Sequence, residues 1–154
     1  MSRRTVAAIA LTAIVAVSGS LLTGSIALAG GKDSKSKKKP VATIKIVKNP
    51  LGRILVDSKG YTLYVFDPDG TDTVSSKCID ACADVWPALT SKKKKPTVGK
   101  GLKQSLVGIG GGAQVVYNDH LLYRFSGDTA PSQTKGQGVG NVWHVVNSKG
   151  EPIV

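Results

Sequence analysis

Tyr64-Val65-Phe66-Asp67-Pro68-Asp69 returns later in the chain as Tyr123-Arg124-Phe125-Ser126-Gly127-Asp128, and both stretches fit Tyr-x-Phe-x-x-Asp. The surroundings repeat in the same order, with Leu63 and Leu122 before the tyrosines and Trp86 and Trp143 after them. All eight aromatic residues divide evenly between the copies, as Tyr61, Tyr64, Phe66 and Trp86 against Tyr117, Tyr123, Phe125 and Trp143. A chain so poor in aromatics concentrates its bulky apolar surface in these two units, which predicts that they supply the core.

Working outward, Ile54 to Val56 and Tyr61 to Phe66 are β-rich runs joined by Asp57-Ser58-Lys59-Gly60, which predicts a hairpin. Alternation puts Tyr64 and Phe66 on one face and Tyr61, Leu63 and Val65 on the other. Asp67-Pro68-Asp69-Gly70 ends the run, since Pro cannot donate to a ladder and Gly accepts positive φ. Gln114 to Tyr117, the turn Asn118-Asp119 and Leu121 to Phe125 predict a second hairpin by the same logic. Val41 to Val47, Leu102 to Ile109 and Val142 to Asn147 read as further strands, and Val146-Asn147-Ser148-Lys149-Gly150 echoes Val56 to Gly60. Cys78 to Trp86 has the spacing of a short helix closed by Pro87. The expected fold is therefore mainly β: a small antiparallel sandwich or barrel from two related hairpin units, at 52–89 and 112–147, with one short helix near the cysteine pair.

The N-terminal part has a different character. Arg3-Arg4, the apolar run from Val6 and the end Ala27-Leu28-Ala29 predict an export signal over 1–29 cut after Ala29; the rival is an uncleaved anchor over Val6 to Ala29. Ser2-Arg3-Arg4 partly resembles a twin-arginine signal. No cysteine lies near the cut, so lipidation is not expected. Residues 30–40 are mostly Gly, Lys and Ser with no apolar residue and predict a flexible tether, leaving 41–154 as one β domain.

The net charge of +11 has to be located before it is interpreted. Without Arg3 and Arg4 the 21 basic residues become 19 against 10 acids; without the clusters Lys32, Lys35, Lys37 to Lys39 and Lys92 to Lys95, and Asp33 among them, 10 face 9. The folded part is nearly neutral. Neither cluster carries the Arg or aromatic residues that read bases, so specific nucleic-acid binding is not expected and contact with anionic envelope polymers or lipid headgroups is.

Asp69 and Asp128 follow each strand by the same interval. They read either as corner-fixing acceptors for amides, hydroxyls or indoles, or as a pair of ligands or acid/base groups; duplication favours the first, because catalytic carboxylates need unlike environments. Cys78 and Cys82 are the only cysteines, and in an exported chain they are expected to form a disulfide, contributing about 2 kcal/mol by chain entropy. A reactive pair with Lys77 favouring thiolate is the alternative. His120 and His144 are the remaining metal candidates, but neither has a partner at helical or zinc-finger spacing. The glycine runs 108–112 and 136–140 lack the Lys-Ser/Thr of a phosphate loop, and no nucleophile elbow or H-E-x-x-H is present.

These residues together resemble the bacterial secreted proteins and lipoproteins described by a Tyr-x-(Phe/Trp/Tyr)-x-x-Asp repeat. The resemblance covers Gly52 to Gly150 and includes Gly60-Tyr61-Thr62-Leu63-Tyr64, the cysteine pair, Trp86-Pro87, Gln114 to His120, Gly136-Gln137-Gly138 and Val142 to Val146. The chain departs from it in lacking a lipobox cysteine and in having Asp119 and Leu121 where relatives usually show Gly and Pro. The resemblance implies an exported envelope protein and supplies no catalytic residues. The expected function is thus a non-enzymatic binding or structural module with a polycationic tether, secreted or held at the outer face of the cytoplasmic membrane or wall, with no cofactor. The alternative is an extracytoplasmic redox or metal-binding protein using His120, His144, Asp69, Asp128 or the cysteines; a hydrolase ranks last for want of a nucleophile-base pair.

Overall fold

The computed structural model describes residues 43–154, so the signal expected at 1–29 and the tether at 30–40 lie outside the described residues. Strands β1 (Ile44–Asn49) and β2 (Gly52–Asp57) form an antiparallel hairpin in the register Ile44↔Asp57 to Asn49↔Gly52. Its turn is made by Asn49, whose Oδ1 accepts the Leu51 N–H, and by Gly52 at φ +108°, a conformation that L side chains rarely adopt.

After β2 the chain turns back only briefly. Asp57 N–H donates to Tyr61 O and Leu63 N–H to Leu55 O, and then β3 (Tyr64–Phe66) departs to pair with β7 (Trp143–Val145). The second arm of the expected first hairpin is therefore shared between two partners. The cause is Val146, which enters between the arms: Leu55 N–H donates to Val146 O and Val146 N–H to Leu63 O. Leu55, Leu63 and Val146 thus bond in a closed ring of backbone amides. The second repeat builds the same ring from Val115, Leu122 and Leu89, with N–H donation from Leu122 to Val115, from Val115 to Leu89 and from Leu89 to Leu122. All six residues are buried, so each ring satisfies backbone groups that water cannot reach.

The second repeat continues as β4 (Val107–Ile109), β5 (Val115–Tyr117) and β6 (His120–Leu121), an antiparallel meander whose Asn118-Asp119 turn has positive φ at both residues, as a two-residue hairpin requires. A helix of one turn and a half, α1 (Ala81–Val85), follows Cys78, and its last amide bond runs from Trp86 N–H to Cys82 O. The chain is mainly β and antiparallel as expected, with its helix beside the cysteines. The sheets have two, two and three strands and do not close into a barrel among the described residues, because strands of two to six residues hand over partners before they can complete a circuit.

Alternation along these strands builds two cores. Ile54, Val56, Tyr64, Tyr123 and Val145 join Trp86 and Trp143 on one face, and Leu55, Leu63, Val65, Leu122 and Val146 join Ile44 and Leu89 on the other. The two repeat units supply nearly all of both cores, Ile44 being the one buried member from outside them, and their aromatic rings concentrate in the first. The second is aliphatic apart from Tyr117, and β1 and the 98–106 segment cover it.

Candidate functional site

The two Tyr-x-Phe-x-x-Asp stretches meet at their tyrosines. Tyr64 and Tyr123 lie opposite each other and exchange both backbone bonds, each 2.9 Å, which puts a pseudo-twofold axis between them. Their side chains then cross to the other repeat: Tyr64 Oη donates to Asp128 Oδ2 at 2.6 Å, and Tyr123 Oη to Asp69 Oδ2 at 2.5 Å. The second oxygen of each carboxylate accepts an amide from its own following loop, Lys77 N–H at 2.7 Å for Asp69 and Lys135 N–H at 3.0 Å for Asp128. Each aspartate therefore fixes a corner and clasps the opposite half at once.

All four side chains are buried, Asp69 and Asp128 being 4% and 5% exposed. Burial, and after it the hydrogen bond to a carboxylate, raises both phenols: Tyr123 is pushed up to about 12 and Tyr64 lies higher still. The tyrosines stay protonated donors across ordinary pH.

Phe66, Trp143, Trp86 and Phe125 stack in one column, with centroid separations of 4.3, 3.8 and 4.4 Å, and exchanging the repeats maps the column onto itself reversed. Tyr64 meets Trp86 edge-on and Tyr123 meets Trp143 likewise. Each such ring pair contributes about 0.5–1.5 kcal/mol beyond its buried area. Here too the partners cross, each Phe stacking on the tryptophan of the other repeat.

Cys78 and Cys82 are joined in a disulfide, and Cys78 packs into the aromatic core. His120 Nδ1 lies 3.0 Å from Gly70 O, and His144 Nε2 lies 3.1 Å from Asp67 Oδ2. Both histidines reach the Asp67–Gly70 corner, one to a backbone carbonyl and one to a side chain. Among the described residues no three His, Cys, Asp or Glu side chains are grouped to hold a metal ion.

Asp57 and Arg124 carry a site that sequence reasoning passed over. Asp57 is fully buried; its Oδ1 accepts the N–H groups of Lys59 and Tyr61, and its Oδ2 lies 2.9 Å from Arg124 Nε, at ion-pair distance though off the line of an N–H···O bond. The turn function was signalled by Asp57-Ser58-Lys59-Gly60. The echo holds as well, because Asn147 Oδ1 accepts Lys149 N–H and Glu151 N–H in the same way. Nothing local announces Arg124, which arrives from the other repeat.

Two crossed copies of one motif, closed by tyrosine and aspartate, define a double-repeat module. Over residues 45–90 and 109–147, more than half of the chain, the sequence matches a family described as a secreted repeat of unknown function, and the chain belongs to that family with two copies of its repeat. No curated protein and no solved structure matches it. Among the described residues no helix is long and apolar enough to cross a membrane.

Proposed function

We propose that the protein is a non-enzymatic envelope module, exported by a signal cleaved after Ala29, unlipidated, and held to anionic wall polymer or lipid headgroups by its lysine clusters. In this reading Tyr-x-Phe-x-x-Asp is the signature that locks the two repeats into a rigid body, and it performs no chemistry. The observation that carries the proposal is a contrast in how charges are used. Lys92 to Lys95 are all exposed and none pairs with a carboxylate among the described residues, whereas both oxygens of Asp69 and of Asp128 are occupied, one by a buried phenol and one by a loop amide. Uncompensated lysines on a nearly neutral body attract polyanions at long range, and salt screens that attraction.

The test is retention of the secreted protein on isolated envelopes across a sodium chloride series. The full chain should elute progressively as salt rises, and both deletion of 30–40 and replacement of Lys92 to Lys95 by Gln should shift elution to lower salt. Retention that ignores salt, or that neither change affects, removes the basis of the proposal.

A further inference from the structure

We infer that a separate cleft, between Arg53, Lys103 and Lys149, binds a phosphorylated polyol or sugar unit. The cleft has a volume of about 490 Å³ and opens where the start of β2, the 101–106 segment, the Asn118 turn and the 148–151 turn come together. That size suits a small organic molecule rather than a bare inorganic anion.

Its walls are tied in place without a ligand. Tyr117, fully buried beneath the cleft, accepts Lys103 N–H through its hydroxyl at 3.1 Å, Ser148 N–H donates to Arg53 O at 2.9 Å, and Asn118 N–H donates to Leu106 O at 2.9 Å. Gly101 stands at φ +88°, and a Cβ there would lie 3.0 Å from Arg53 Nη2, so the glycine lets the guanidinium lie close over the backbone. A cleft ordered in advance loses little freedom when it is filled.

The lining sorts by chemistry. Arg53, Lys103 and Lys149 supply three cations, none of them paired with a carboxylate among the described residues. A guanidinium fork with flanking ammonium groups is matched to phosphate oxygens. The acid on the rim, Glu151, receives Asn147 Nδ2–H on Oε2, and together with Ser148 it offers acceptors for hydroxyl groups. Leu106 provides an apolar contact for a carbon skeleton. A ligand that satisfies all of these carries phosphate at one end and hydroxyls at the other. The site shares no residue with Lys92 to Lys95, so it stands or falls apart from the envelope-retention reading.

Titration calorimetry of the secreted protein with glycerol 3-phosphate, inorganic phosphate and glycerol tests the assignment at low ionic strength. Glycerol 3-phosphate should bind saturably and more tightly than inorganic phosphate, and glycerol should not bind. The double variant Arg53→Gln/Lys103→Gln should lose at least about tenfold in affinity, while Lys92 to Lys95→Gln should stay within about twofold. Lys149→Glu, on the exposed turn, should weaken binding in the same direction and serves if the double variant does not fold. Absence of saturable binding, equal affinity for inorganic phosphate, an unchanged affinity in the cleft variants, or loss in the Lys92 to Lys95 variant would overturn the inference.

Discussion

A carboxylate buried at 4% exposure needs donors for both oxygens, and Asp69 obtains one from its own loop and one from Tyr123 of the other repeat. Tyr123→Phe removes the second donor and leaves a buried charged acceptor short of a partner, which should cost about 1–3 kcal/mol in urea unfolding. Tyr64→Phe should do the same through Asp128. The same pair of phenols makes stability depend on pH at the alkaline end. Their folded values are raised above the ordinary 10, so unfolded tyrosines lose protons first, and the stability they contribute is complete below about pH 10. It should fall as pH climbs from about 10 through 12, where Tyr123 titrates, and continue falling beyond as Tyr64 follows. Urea midpoints measured between about pH 8 and 12 should decline over the upper half of that range, and Tyr123→Phe should flatten the decline. A level profile for the wild type would contradict the assignment of both donors.

Between elements, packing tolerance differs sharply from one glycine to the next. A Cβ on Gly136 would lie 2.7 Å from Trp86 Cη2 and 2.9 Å from Tyr64 Cε1, inside the aromatic column, whereas a Cβ on Gly70 meets nothing within 4 Å and suffers only from φ +57°. Gly136→Ala should therefore lower stability by about 1–3 kcal/mol through overpacking and disturb the near-ultraviolet circular dichroism of the tryptophans. Gly70→Ala should cost about 1–3 kcal/mol from backbone strain alone, since φ +57° with ψ −127° lies outside the main regions open to L residues, and leave that spectrum intact. The disulfide closes a ring of a few residues between the core-packed Cys78 and Cys82 in α1, so Cys78→Ala/Cys82→Ala should lower the unfolding free energy by about 2 kcal/mol with the strand signal retained. A loss of β structure in that variant would mean that the cysteines hold more than their own loop.

Across the whole molecule, what could be read from the chain and what could not divide along the distance over which residues act. Alternation placed Tyr64 opposite in facing to Leu63 and Val65, and the Asx turns at Asp57 and Asn147 bond within a few residues, so both were legible. The exchange of partners was not. No local pattern says whether the Trp143 strand pairs with the tyrosine strand of its own repeat or of the other, and the structure takes the second course, with β7 on β3 and Ala88 opposite Tyr123. The repeats are consequently intertwined and cannot behave as independent beads. Each amide ring borrows one residue from the opposite half, each repeat aspartate its tyrosine donor, and each phenylalanine its stacking partner. Residues 43–103 and 104–154 prepared separately should each remain unfolded, since either alone exposes its apolar faces and strands a buried carboxylate. Mixed in equal amounts, they should regain the tryptophan signal and a cooperative melt that depends on concentration, because association now carries a translational cost. A cooperative melt from either fragment alone would show that one repeat is sufficient for its own fold and would remove the crossed tyrosine-aspartate pairs from the centre of the architecture.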